Sequence, residues 1–193
     1  MTSIGILGYE NCGKTSLFLQ FIKEVENSGS RIFDGTRGGD ERFRTITVDF
    51  IRFSWKGFTH TLYGTGGHRE RVTDYYRLFV IRNADRFLCM VDLEAPLKPQ
   101  LEFFRSFEIP SKNVNLTFNK YDLKPDNLDK YSLKIIDLLE NELRKRIKEQ
   151  FVTVAIPKEG YEEQIDNCAK SVLSLCEWDQ KGDPFEIWLS SSD

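Results

Sequence analysis

The chain has 193 residues, 40% hydrophobic and 30% charged, with a formal net charge of −3. That is one domain's length with apolar residues enough for a full core, and the slightly acidic balance gives no reason to expect a nucleic-acid partner. Its longest apolar runs, such as residues 87–91, are strand-length, which argues against a transmembrane segment.

The first run, residues 3–7, is β-type and leads into GYENCGKTS over residues 8–16, after which residues 16–25 carry helical spacing. The G-x-x-x-x-G-K-T pattern between a strand and a helix is the phosphate-binding P-loop signature. Gly8 and Gly13 let the backbone turn its N–H groups toward phosphate oxygens, and the helix adds its positive N-terminal end. Lys14 supplies a point charge for the β/γ-phosphates and the Thr15 hydroxyl is placed to ligate Mg2+. Glu10, Asn11, Cys12 and Ser16 complete the candidate nucleotide-binding loop. Cys12 beside Lys14 is read as a small loop filler rather than a reactive thiol, and with Cys89, Cys168 and Cys176 it is expected to be reduced, since the four show no metal spacing.

Residues 28–44 are glycine-rich, charged and nearly free of aliphatic side chains, which predicts a long mobile loop near the P-loop. Strands are expected at 45–55 and 58–63, joined by a tight hairpin at Trp55-Lys56-Gly57-Phe58. A helix at 70–82, a strand at 87–92, a helix at 97–107 and a strand at 114–118 follow. Residues 128–150 predict the longest helix, with Leu128, Ile135, Ile136, Leu139, Leu143 and Ile147 on one face and Asp126 or Asn127 as its cap. A strand at 151–156 and a helix at 162–176 close the pattern. This alternation predicts an α/β, three-layer domain over residues 1–176, with a six-stranded, mostly parallel sheet, one antiparallel strand and helices on both faces; residues 177–193 form a C-terminal tail.

Asn119-Lys120-Tyr121-Asp122 follows the fifth expected strand, at the sheet edge where α/β folds bind ligands. Guanine presents adjacent N1–H and N2–H donors, so the Asp122 carboxylate can accept both, whereas adenine would leave it unpaired. Asn119 would tie this loop to the P-loop, and the stem of Lys120 can lie over the purine. The P-loop does not itself choose the base, which keeps an ATP-dependent kinase or ATPase as a rival that competition between GTP and ATP would decide.

P-loop, mobile loop, glycine turn and N-K-x-D together resemble the small Ras-like GTPases over roughly residues 3–176. In detail, DERFRTITVDF followed by THTLYGTGGH is most similar to the Mgl-type polarity GTPases of bacteria and archaea, with some Arf-like character in the P-loop. The resemblance implies a switch that binds GTP or GDP with Mg2+ and slowly hydrolyses GTP, served by GTPase-activating proteins, exchange factors and effectors. It makes Thr45 the sensor of the γ-phosphate and, with Thr15, a metal ligand; it puts Gly67 at the phosphate turn, His68 at the water-positioning place and the Ala155 N–H on guanine. Gly64 stands where that family carries the aspartate that orders the magnesium shell, which Mgl-type members also lack, and Glu10 where Ras has glycine, where it would crowd an arginine finger brought by a partner. Arg42, three residues before Thr45, has the spacing of the intrinsic arginine finger of Gα subunits; with Arg31, Arg37 and Arg44 nearby, a merely basic loop is the other reading. A nucleotide-binding scaffold without turnover is the alternative function. The termini carry no leader, myristoylation or prenylation signal, so the expected location is the cytoplasm, with any membrane contact made through partners.

Overall fold

The structure, a computed structural model, describes residues 1–36, 48–65 and 71–177. Its strands are β1 (Thr2–Gly8), β2 (Ile32–Thr36), β3 (Val48–Trp55), β4 (Phe58–Thr65), β5 (Arg86–Asp92), β6 (Asn113–Asn119) and β7 (Arg146–Val152). Its helices are α1 (Lys14–Asn27), α2 (Arg71–Asn83), α3 (Leu97–Arg105), α4 (Leu128–Asp137) and α5 (Glu162–Cys176). The strands form one sheet in the order β2-β3-β4-β1-β5-β6-β7. β3 pairs antiparallel with both its neighbours and every other pairing is parallel, so β3 alone runs against the rest.

Strand alternation sorts the core into two layers. Ile4 and Ile6 of β1, Ile51 and Phe53 of β3 and Leu88 and Met90 of β5 pack with α1 and α5. Leu7 of β1 and Phe87, Cys89 and Val91 of β5 face the other way, onto α2, α3 and α4. The strands of the sheet centre are buried on both faces and read as continuous apolar runs for that reason. Trp55 pairs with Phe58 across a two-residue turn in which Lys56 and Gly57 have φ of 48° and 83°, the left-handed pair that matches strand twist.

Four sequence expectations are corrected. The sheet has seven strands, not six: the extra one, β2, lies inside the stretch expected to be loop. Backbone pairing with β3 holds it, and among its described side chains only Ile32 packs against the core, too little alternation to register as a strand. The helix expected over 128–150 ends as α4 and a π-helical turn over Leu138–Glu142; Arg144 then takes a φ of 54°, and residues 146–152 become β7. The strand expected at 151–156 is thereby moved towards the N-terminus, leaving Ile156 exposed. Finally, Asn127 does not cap α4 with its side chain, which donates to the Leu93 carbonyl oxygen at 2.7 Å.

Candidate functional site

The carboxyl ends of β1, β5 and β6 converge on one rim of the sheet, where parallel α/β folds bind ligands. β1 ends at Gly8, and the chain loops through Tyr9–Cys12 to Gly13, which has φ of 94° and starts α1 through its carbonyl, 2.9 Å from the Leu17 N–H. A Cβ on Gly13 would lie 2.3 Å from Asn119 Nδ2, and one on Gly8 2.6 Å from both Cys12 Sγ and the Met90 carbonyl oxygen. Both positions therefore exclude any side chain on contact grounds, and Gly13 also on backbone grounds.

Lys14 is 5% exposed, and its ammonium donates back to the carbonyls of Gly8 at 2.9 Å and Tyr9 at 2.7 Å. An ammonium has three donors, and the third faces Cys12 Sγ at 3.7 Å. Burial pulls the Lys14 pKa below its ordinary value, against the partial opposition of Cys12. Cys12 is fully buried, and burial pushes its thiol up despite the nearby Lys14, so it fills the loop as an inert side chain. Glu10, Thr15 and Ser16 are half-buried at the rim and Asn11 is exposed, with φ of 57°.

From β6, Asn119 reaches over this loop. Its Nδ2 donates to the Cys12 carbonyl at 2.9 Å, and its Oδ1 accepts from Thr153 Oγ1 at 3.2 Å and the Ala155 N–H at 3.1 Å. One buried side chain thus joins the phosphate loop, the N-K-x-D turn and the segment after β7. The Ala155 N–H, expected on guanine, donates in this structure to Asn119 Oδ1. Lys120, with φ of 63°, turns the chain outward and holds Asp92 Oδ2 at 2.7 Å and Glu94 Oε2 at 3.0 Å. Desolvation pulls its pKa down, but the two carboxylates outweigh it and the net shift is upward. Asp122 has a side chain 13% exposed, with Lys158 Nζ 3.3 Å from Oδ2, and Lys158 in turn lies over the Tyr161 ring.

Sequence reasoning did not single out Asp92, Gln100 or Thr153. Asp92 ends β5, where its Oδ1 accepts the N–H groups of Glu94 and Ala95 at 2.8 and 3.2 Å, while Gln100 bonds both the N–H and the carbonyl of Asp92. The available signal was position: a polar residue closing an apolar strand one strand away from the P-loop. Gly67, His68, Thr45 and Arg42 lie outside the described residues, as do Arg37 and Arg44. No cluster of three or more His, Cys, Asp or Glu side chains suited to a metal occurs among the described residues.

A glycine-built anion loop at a helix N-terminus, braced to an N-K-x-D turn across a parallel sheet, defines the P-loop guanine-nucleotide-binding class. The chain belongs to the family described as 50S ribosome-binding GTPases, whose model matches residues 3–120. It is 30% identical over 146 residues to the GTPase Der of Nautilia profundicola, covering 72% of this chain and 29% of that protein. Among solved structures it is similar to the translation elongation factor SelB of Methanococcus maripaludis, solved with the GTP analogue GppNHp. The TM-score is 0.58 at 17% identity, over 89% of this chain and 33% of that one. It is also similar to a bacterial selenocysteine-specific elongation factor, with a TM-score of 0.59 at 18% identity, over 91% of this chain and 28% of that one. The likeness to the two elongation factors is one of fold, and the chain spans a third or less of all three proteins.

Proposed function

We propose that this domain is a guanine-nucleotide switch that binds GTP or GDP with Mg2+, hydrolyses GTP slowly and presents a different face to effector proteins in each nucleotide state. The observation that carries this reading is Asn119, which couples the base-reading turn to the phosphate loop through Cys12. Residues 31–45 and 64–77 are the segments whose arrangement would follow the γ-phosphate. An activating protein and an exchange factor are the expected regulators. The DERFRTITVDF and THTLYGTGGH segments support an Mgl-like rather than a ribosome-directed use, and the net charge of −3 favours protein over nucleic-acid partners. The cytoplasm is the compartment that fits such a switch.

The described residues suit Mg2+, which takes oxygen donors: the Thr15 hydroxyl stands in the first turn of α1 and a buried carboxylate, Asp49, on the same side of the sheet. When bound, the ion would screen the β- and γ-phosphate charges. The chain's own residues do the rest: Lys14 holds the phosphates, Asn119 and Asp122 orient the base, and His68 would align the attacking water.

Single-turnover hydrolysis of GTP, with ATP as competitor, tests the reading. His68→Ala should slow turnover at saturating GTP while leaving affinity nearly intact, because the contact is made in the transition state. Arg42→Ala should lower the single-turnover rate by about tenfold or more without changing GDP affinity, and Arg37→Ala, a control for loop charge, should not. Equal losses in both arginine variants would reduce the effect to general electrostatics. Gly64, where an acid is expected, favours a second reading, a nucleotide-binding scaffold without turnover; measured hydrolysis would dismiss it.

A further inference from the structure

The turn from Lys158 to Tyr161 brings a second charged group to the carboxylate of Asp122. Gly160, with φ of 83°, reverses the chain there; the Tyr161 N–H donates to the Lys158 carbonyl oxygen at 3.3 Å, and α5 starts at the next residue. The N-K-x-D turn meets this one through aromatic rings: Tyr161 stands edge-on to Tyr121, with centroids 6.5 Å apart. Lys158 Nζ lies over the Tyr161 ring, 5.5 Å from its centroid, and the same ammonium is 3.3 Å from Asp122 Oδ2. An aromatic face on one side and a carboxylate on the other fix where this long, half-exposed side chain places its charge.

Guanine offers an acceptor, O6, beside its N1–H and N2–H donors, and a carboxylate answers only the donors. An ionised carboxylate has about four lone-pair sites, of which N1–H and N2–H take one on each oxygen, so its outer sites stay open to an ammonium. The outer site on the N1 side adjoins O6, and an ammonium there can donate to the carboxylate and to O6 together. The Ala155 N–H donates to Asn119 Oδ1 at 3.1 Å, whereas Lys158 already sits on the acid that would receive the base. We infer that Lys158 is a second specificity residue of the base site, its ammonium donating to O6 while Asp122 accepts from N1–H and N2–H. Adenine carries an amino group where guanine has O6, so it would meet the ammonium donor to donor and is rejected there as well as at Asp122. This rests on the nucleotide reading above and deepens it by naming a further residue that chooses the base.

The test is competition against a fluorescent GDP on the full chain, Lys158→Met and Lys158→Ala, with three competitors. GDP and inosine diphosphate both carry O6 and N1–H; the diphosphate of 2-aminopurine riboside has hydrogen in place of O6. A hydrogen bond from a charged donor that keeps part of its solvent is worth about tenfold in affinity, so each variant should bind GDP and inosine diphosphate at least about fivefold more weakly. The 2-aminopurine nucleotide, weak on every chain, should change by less than about twofold. A Lys158→Met chain that binds GDP within about threefold of the natural one, or more tightly, overturns the inference and leaves nucleotide binding standing, the ammonium then being a surface charge or a competitor of the base. Equal losses for all three competitors overturn it too, because they would make Lys158 a support of the turn rather than a contact of O6. A natural chain that binds neither GDP nor inosine diphosphate overturns the nucleotide reading itself and this inference with it.

Discussion

Asp122→Asn should exchange the base preference of the site, weakening GTP and strengthening xanthosine triphosphate. The Asp122 carboxylate accepts and cannot donate, matching the paired N1–H and N2–H donors of guanine; the amide puts one donor in its place, which suits the 2-oxo group of xanthine. Hydrogen bonds to a charged group contribute about 1.5–3 kcal/mol each, so losing a bidentate pair should cost GTP about 100-fold in affinity. Lys158 does not offset this, although its Nζ is 3.3 Å from the carboxylate, because its side chain is half exposed and such surface pairs contribute only about 0–1 kcal/mol. Competition of GTP and xanthosine triphosphate for the same variant reads the outcome directly. A variant that keeps its preference for GTP would remove Asp122 from the role of base reader.

The second large effect belongs to Lys14. Lys14→Met keeps the apolar stem and removes the charge, and Lys14→Ala removes both; each should lower GTP and GDP affinity by about 100-fold or more, since a charge-assisted phosphate contact and the posture of the loop go together. The two carbonyls now served by the ammonium, those of Gly8 and Tyr9, would lose their donor, adding a loss of order in the empty loop. Burial lowers the Lys14 pKa in the empty site, whereas bound phosphate favours the charged form and draws it back up. Loading therefore takes up a proton once the pH exceeds the empty-site pKa, so affinity should fall as pH rises through that value, and Lys14→Met should abolish this dependence. Nucleotide titrations across an alkaline pH series check both parts; unchanged affinity in Lys14→Met would sink the phosphate-loop assignment.

The parts of this site that were legible in the sequence are those where chemistry dictates spacing. Gly8 and Gly13 are needed by contacts under 3 Å, and the Lys14 and Asn119 positions by their reach to the same loop, so each left a fixed-interval signature. What stayed hidden depends on partners distant in sequence. Ile147 fits both a helical face with Leu143 and a strand with Phe151, and only pairing with β6 makes it a strand. The lysines and glutamates around it line an exposed edge strand, where charge discourages further pairing. β2 is fixed by backbone bonds to β3, which no composition signal records. Asp49 was passed over within a β-type run because its burial and its cross-strand neighbour are properties of the ladder; its place in the row of Ile51 and Phe53 was the available clue.

Asn119 carries one more consequence. Because a single amide grips the Cys12 carbonyl on one side and Thr153 and Ala155 on the other, the two ends of the nucleotide meet one mechanically continuous surface. Seating the base steadies the loop that receives the phosphates, and seating the phosphates steadies the turn that receives the base. The binding free energies of a bare nucleoside and of free pyrophosphate would then sum to less than that of the intact molecule, and the domain would be selective for the whole ligand over its metabolic fragments.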